Sequence, residues 1–102
     1  EYNASVPGPM KDAYDLLYAE WTGKPISFIG YGSDAARTAI SHWNDIVTRV
    51  GMIVTPAQVE FTFQEHFPDF VFTPGESGAA MLANVADELL DAADRVAVEV
   101  DA

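Results

Sequence analysis

Apolar and polar positions along this chain change period several times, and each change marks an element. Residues 1–9 contain Pro7, Gly8 and Pro9, which exclude a regular helix or a central strand, so they read as a loop. From Met10 the apolar residues recur at Ala13, Tyr14, Leu17 and Trp21, the spacing of one helical face. Pro9 suits the first turn of that helix and Gly23 lies just past its end. Lys24 and Pro25 interrupt the pattern. Residues 26–31 then form a short, nearly continuous apolar run of the kind found in strands buried on both faces, closed by Gly32, Ser33 and Asp34 as a turn.

A second amphipathic pattern, Ala36, Ala39, Ile40, Trp43, Val47 and Val50, predicts a helix that Asp34 or a near neighbour caps and that Gly51 ends in a left-handed conformation. Met52, Ile53 and Val54 open another extended stretch, and beyond Pro56 the alternation Val59, Phe61, Phe63 has the period of a strand with one buried face. Residues 64–77 hold Pro68, Pro74 and Gly75 and read as a long loop whose three phenylalanines fold back onto something apolar. Leu82, Val85, Ala86, Leu89, Ala93 and Val96 predict the inner face of a third helix, with Asp87, Asp91 and Asp94 outside.

Helix, strand, helix, strand, helix is the order of part of an α/β sandwich with parallel strands. Two parallel strands leave open edges and little cover, whereas parallel sheets are stable when interior. The strand at residues 26–31 is apolar enough to be central, yet no strand comes before it. Together with Glu rather than Met at position 1, this leads to the expectation that further chain precedes residue 1.

Composition narrows the classes of function. A 102-residue chain that is 49% hydrophobic has material for one core and is not expected to be disordered. Sixteen acidic against five basic residues give a net charge of −11, which repels phosphates and anionic membranes, so nucleic acid and membrane surfaces are excluded as expected partners. The absence of cysteine excludes disulfides, thiolate catalysis and zinc sites built on sulfur. No apolar run is long enough for a membrane span and no signal peptide is visible, so a cytoplasmic location is expected.

Several short strings occur in one collinear order: Glu1-Tyr2-Asn3, Pro7-Gly8-Pro9-Met10-Lys11-Asp12-Ala13, Gly23-Lys24-Pro25 and Tyr31-Gly32-Ser33-Asp34. They are followed by His42-Trp43, Pro56-Ala57-Gln58-Val59, Phe72-Thr73-Pro74 and the last helix. In that order the chain resembles the later part of the NADPH-dependent FMN reductases. The resemblance implies a flavodoxin-like three-layer α/β sandwich with a parallel sheet, of which only the later βα units are present. Residues 1–102 would then form a single partial domain without the N-terminal strands. It implies FMN and NADPH as cofactors, with hydride passing to the flavin and on to a small-molecule electron acceptor such as a quinone. It implies that Glu1, Tyr2 and Asn3 form one loop along the flavin ring and that Tyr31, Gly32 and Ser33 form a second. It also implies a homo-oligomer, dimer or tetramer.

The family's phosphate-binding loop, of the type Gly-Ser-x-Arg-x-x-Ser, has no counterpart here. Loss of about four charge-assisted hydrogen bonds removes on the order of 6 kcal/mol, roughly four decades of affinity, so weak FMN binding and little activity are expected of this chain alone. Ala35 and Ala36 stand where relatives carry a glycine pair, and alanine enters left-handed conformations only at a cost. Arg37 stands one place from the family's arginine and is not assigned to the ligand.

The remaining residue types have plainer readings. Trp21 and Trp43 lie on inward helical faces and are expected to pack, and Tyr31 has the alternative of a strand-end aromatic that covers the core. His42, beside Ser41 and Asp45, and His66, beside Glu65 and Asp69, have no nucleophile-elbow motif or ligand spacing around them, so both are expected at the surface with no catalytic or metal role. Asp87, Glu88, Asp91, Asp94, Glu99 and Asp101 lack the pattern of a calcium loop and read as a solvated helix face. A second class of function remains: a non-catalytic fragment or assembly module that oligomerises through the exposed edge of the strand at residues 26–31.

Overall fold

Pairing of the two predicted strands organises the chain. The computed structural model describes residues 1–101, and the side chains of residues 1–99. In order the elements are α1 (Gly8–Asp15), β1 (Pro25–Gly32), α2 (Arg37–Val50), β2 (Ile53–Thr62), α3 (Phe63–His66), a 3-10 turn (Pro68–Phe70) and α4 (Gly75–Asp101). The strands β1 and β2 are parallel neighbours, joined by α2 in a βαβ unit. This is an α/β arrangement consistent with a partial flavodoxin-like fold. Among the described residues no helix is long and apolar enough to cross a membrane.

Period-two alternation sends the strands' apolar residues to two faces. On one, Phe28 packs with Ile40, Trp43 and Val47 of α2 and with Met52, and Tyr14 and Trp21 lie against them. Tyr14 is the hinge of this layer. Its ring stacks on Trp21 at 5.2 Å and meets Trp43 edge-on at 5.4 Å, so both tryptophans pack as expected, Trp43 from α2 and Trp21 from the turns that follow α1. On the other face Val59 and Phe61 of β2 pack against Val85, with Met81, Leu82 and Phe67 around them.

Several expectations need correction. The first helix stops at Asp15 instead of running to Trp21, because the Tyr14 carbonyl accepts from Trp21 Nε1 at 2.9 Å and from the Leu17 amide at 3.3 Å. Those two bonds satisfy the oxygen that a continuing helix would have used. β1 is buried on one face only: Phe28 and Gly30 are buried, while Ile29 is 54% and Tyr31 66% exposed. The cause is that α4 packs chiefly on β2, and among the described elements nothing lies beyond β1. Phe63 starts α3 and does not continue the alternation of β2. The segment after it is also more ordered than a loop, with two short helical turns. Phe67 and Phe72 fold back toward Phe61, whereas Phe70 is 96% exposed.

The helix α4 begins earlier than its apolar pattern suggested, at Gly75, and turns Ala92 rather than Ala93 into the core. Glu88, expected on the solvated face, is half-buried and accepts the Ala57 amide at 2.8 Å. Ala57 lies in an irregularity of the sheet. Ile26 pairs with Val54 but Phe28 with Gln58, so β2 uses two more residues than β1 over that interval. Pro56, which has no amide hydrogen to give to a ladder, sits inside the bulge, and Ser27 and Thr55 bridge it through their hydroxyls at 2.5 Å. Asp101 of the acidic stripe lies outside the side chains described.

The exit from β1 departs most from expectation. Asp34 does not cap α2; the N-cap is Ala36, which has no side-chain oxygen. Ala35 and Ala36 adopt φ of 50° and 56°, the left-handed region in which an L-residue costs roughly 1–2 kcal/mol. They accept it because the turn folds back over Gly30: a Cβ on Gly30 would collide with the Ala35 carbonyl oxygen and stand 2.7 Å from Ile40 Cδ1. The C-terminus of α2 is as predicted, with Gly51 at φ 90°. Gly30→Ala is therefore expected to destabilise the protein by about 1–3 kcal/mol, as overpacking does. Chemical denaturation measures it, with Gly8→Ala, an open position, as the neutral control.

Candidate functional site

Ligands in open parallel α/β sheets lie beyond the carboxyl ends of the strands, and here the end of β1 and the N-terminal loop come together. Residues 2–5 form a tight turn in which the Tyr2 amide donates to the Ser5 carbonyl at 2.9 Å and the Ser5 amide to the Tyr2 carbonyl at 3.2 Å. Its two central residues are left-handed, Asn3 at φ 49° and Ala4 at φ 60°, as a type I′ turn requires. Asparagine tolerates this conformation; alanine is held in it.

The turn is tied to α2. The Glu1 carboxylate accepts the Ala39 amide at 2.9 Å, and Ser5 Oγ lies 2.7 Å from His42 Nδ1. Ala39 is the third residue of α2, so its amide is one of those a helix leaves without an internal partner. Glu1 thus serves the helix start that Ala36 cannot, and places a carboxylate at the positive end of the helix dipole.

Glu1, Tyr31, Gly32 and Ser33 line one cavity of about 1010 Å³, together with Pro7, Met10 and Phe63. It runs along the α2 face of β1 as far as Trp21. Four of the six residues expected to contact a flavin therefore meet at one place, while Tyr2 and Asn3 do not line it. A smaller groove of about 360 Å³ lies on the opposite face between Ile29, Tyr31, Phe61, Phe67, Phe72 and Leu82, all apolar. Tyr31 borders both.

The charge in the larger cavity is one-sided. Glu1 and Asp34 are its acidic members, and among the described residues no lysine or arginine lines it. Its apolar walls, the Ser33 hydroxyl and the main chain at Gly32 fit an uncharged aromatic ring system. They do not fit a phosphate, and among the first amides of α2 that of Ala39 is taken by Glu1.

Arg37 is engaged elsewhere. It donates to Glu60 through Nε at 3.2 Å and Nη2 at 2.9 Å, and reaches Asp34 at 3.4 Å. Its hydrogen bonding holds the Glu60 carboxyl below the usual glutamate range, against partial desolvation, and raises the guanidinium in return. Burial, with Asp15 nearby, pushes the Tyr14 hydroxyl up.

The two histidines part company. His42 is exposed as expected, but it holds Ser5, a residue its sequence neighbours do not suggest. His66 is 6% exposed, contrary to the surface placement expected for it: its Nδ1 accepts the Thr62 amide at 3.1 Å and its ring meets Phe61 at 5.0 Å. Among the described residues no three histidine, aspartate or glutamate side chains gather as a metal site.

A family model described as NADPH-dependent FMN reductase matches residues 1–66. An NAD(P)H-dependent FMN reductase of Nectria sp is 38% identical over 64 residues, 62% of this chain and 32% of that protein. One of Schizosaccharomyces pombe is 32% identical over 62 residues, 61% of this chain and 31% of that protein. The chain thus spans about a third of the length of the curated relatives it matches. No solved structure matches it significantly.

Two outcomes follow from these contacts. Glu1→Ala is expected to lower stability by about 1 kcal/mol, as loss of a helix cap does, in thermal or chemical unfolding. Because folding lowers the Glu60 pKa, the Arg37 pair contributes fully above the usual glutamate range, and its contribution fades as pH falls through the depressed value. Arg37→Gln should then lower the melting temperature slightly at neutral pH and low salt, with the gap closing in acid and in high salt.

Proposed function

The chain belongs to the NADPH-dependent FMN reductase family, and from that membership we propose that its N-terminal turn and the end of β1 form the ring-facing side of a flavin site. FMN and NAD(P)H are the cofactor and substrate of that family. A flavin held there would supply hydride chemistry between a reduced nicotinamide and a small acceptor such as a quinone.

One observation carries this reading: Glu1, Tyr31, Gly32 and Ser33, separated by some thirty residues of sequence, line the same cavity at the carboxyl end of a parallel strand. In this reading Tyr31 and Phe63 cover the ring, Ser33 and the Gly32 main chain meet its polar edge, and Tyr2 and Asn3 lie at its rim. Glu1 holds the turn in place by its bond to α2.

The same lining recognises no phosphate, so the chain should bind FMN and riboflavin alike, both more weakly than micromolar. Titration with each, followed by flavin fluorescence, tests this. FMN binding more than about tenfold tighter than riboflavin, about 1.4 kcal/mol, would mean that these residues do hold the phosphate. Tyr31→Ala should weaken both flavins equally.

A second reading is favoured by the outer edge of β1. Its eight residues carry no charge, they pair with β2 alone among the described residues, and Ile29 and Tyr31 are exposed beside them. In that reading two copies pair along β1, where strands meet without like charges opposite one another. Sedimentation that shows only monomer at high protein concentration counts against it.

A further inference from the structure

We propose that His42 is a positioning residue, which clamps the ring-facing turn onto α2 through Ser5. This rests on the reading of residues 1–5 as a flavin contact, and it gives a role to a residue that stands in one of the collinear strings, His42-Trp43, but lines neither cavity.

The turn needs an external hold. Its second central residue is Ala4, left-handed at φ 60°, where glycine is the favoured occupant of a type I′ turn. Two backbone hydrogen bonds close it, and isolated hairpins of this size are marginal in water. What fixes it is α2. Ala39 and His42 lie three residues apart and so on one helical face; the first takes the Glu1 carboxylate and the second the Ser5 hydroxyl. Val6 follows directly and packs on the core that Trp43 shares. The turn is therefore held on both sides of Asn3 and Ala4, with Tyr2 carried between the two anchors. A hydroxyl both donates and accepts, so Ser5 suits either protonation pattern of the His42 ring.

The test compares His42→Ala, His42→Asn and His42→Gln in the full chain. Asparagine puts its amide atoms where Nδ1 stands; glutamine puts them nearer Nε2. The first readout is hydrogen exchange of the Ser5 and Tyr2 amides, followed by two-dimensional NMR without ligand. Loss of an exposed side-chain hydrogen bond should speed their exchange about two- to tenfold in His42→Ala and His42→Gln, with His42→Asn close to the parent and the β1 amides unchanged in all three. The second readout is flavin affinity, which should fall by a similar factor in His42→Ala, be restored in His42→Asn, and fall also in Tyr2→Ala. Equal exchange in His42→Ala and the parent overturns the clamp. A uniform change over the whole molecule overturns it too, because a general structural role would then explain the effect. If exchange responds as expected while flavin affinity is indifferent to both His42→Ala and Tyr2→Ala, the clamp stands, and the reading of residues 1–5 as a flavin contact falls.

Discussion

The start of α2 is the constraint on which the rest of the structure turns. β1 runs into α2 through two left-handed alanines whose carbonyl must pass over Gly30, and this route leaves the helix with no capping side chain of its own. An uncapped helix start beside a strand end exposes amides that require an acceptor. Glu1 supplies it, and in doing so brings the chain's first residues to the strand end that Tyr31, Gly32 and Ser33 occupy. One hydrogen bond thus joins helix stability to the shape of the cavity. It also places an internal anion at the end of the helix that attracts anions.

The sheet carries the opposite economy. Each strand has apolar residues for two faces, but helices cover them unevenly: α2 and α1 close over Phe28, and α4 closes over Val59 and Phe61, while Ile29 and Tyr31 remain open. Much of the protein's acidity lies away from this edge, with Glu1 and Asp34 in the larger cavity and Glu60 on β2 as exceptions. Asp87, Asp91 and Asp94 face outward on α4, whereas β1 has no charged residue at all. On a chain of net charge −11, this neutral apolar ledge is where an aromatic ring or a second strand can dock without desolvating a carboxylate.

Much of this was legible from spacing alone. The inner face of α2, its end at Gly51, the packing of both tryptophans and the parallel α/β order all follow from periodicity and from glycine's freedom. What was hidden depended on contacts between distant residues. The apolar run at residues 26–31 reads the same whether one face or two are covered, because coverage depends on where α4 lands. The early stop of α1 required knowing that Trp21 reaches back to the Tyr14 carbonyl. As alanines, Ala35 and Ala36 argue against a left-handed turn; the signs for one are the glycine pair that relatives carry there and Gly30, five residues earlier, whose missing side chain makes the route passable. In the same way the candidate site's loop residues were identifiable as strings, and His42 stands in one too, whereas the contacts that anchor the loop, Glu1 to the Ala39 amide and Ser5 to His42, join residues nearly forty positions apart and show in no string.

The bulge opposite Ser27 has a consequence for how the length of the chain can drift. β2 spends an even surplus there, so Val54 before it and Gln58 after it keep the same phase, and Val59 and Phe61 still point toward α4. Side-chain direction in a strand depends only on odd or even count. Gain or loss of a residue pair around Pro56 would lengthen or shorten the detour and leave inside and outside as they are. Gain or loss of a single residue would turn the downstream half of the strand over, presenting Val59 and Phe61 to the α2 side. That segment therefore tolerates change in twos.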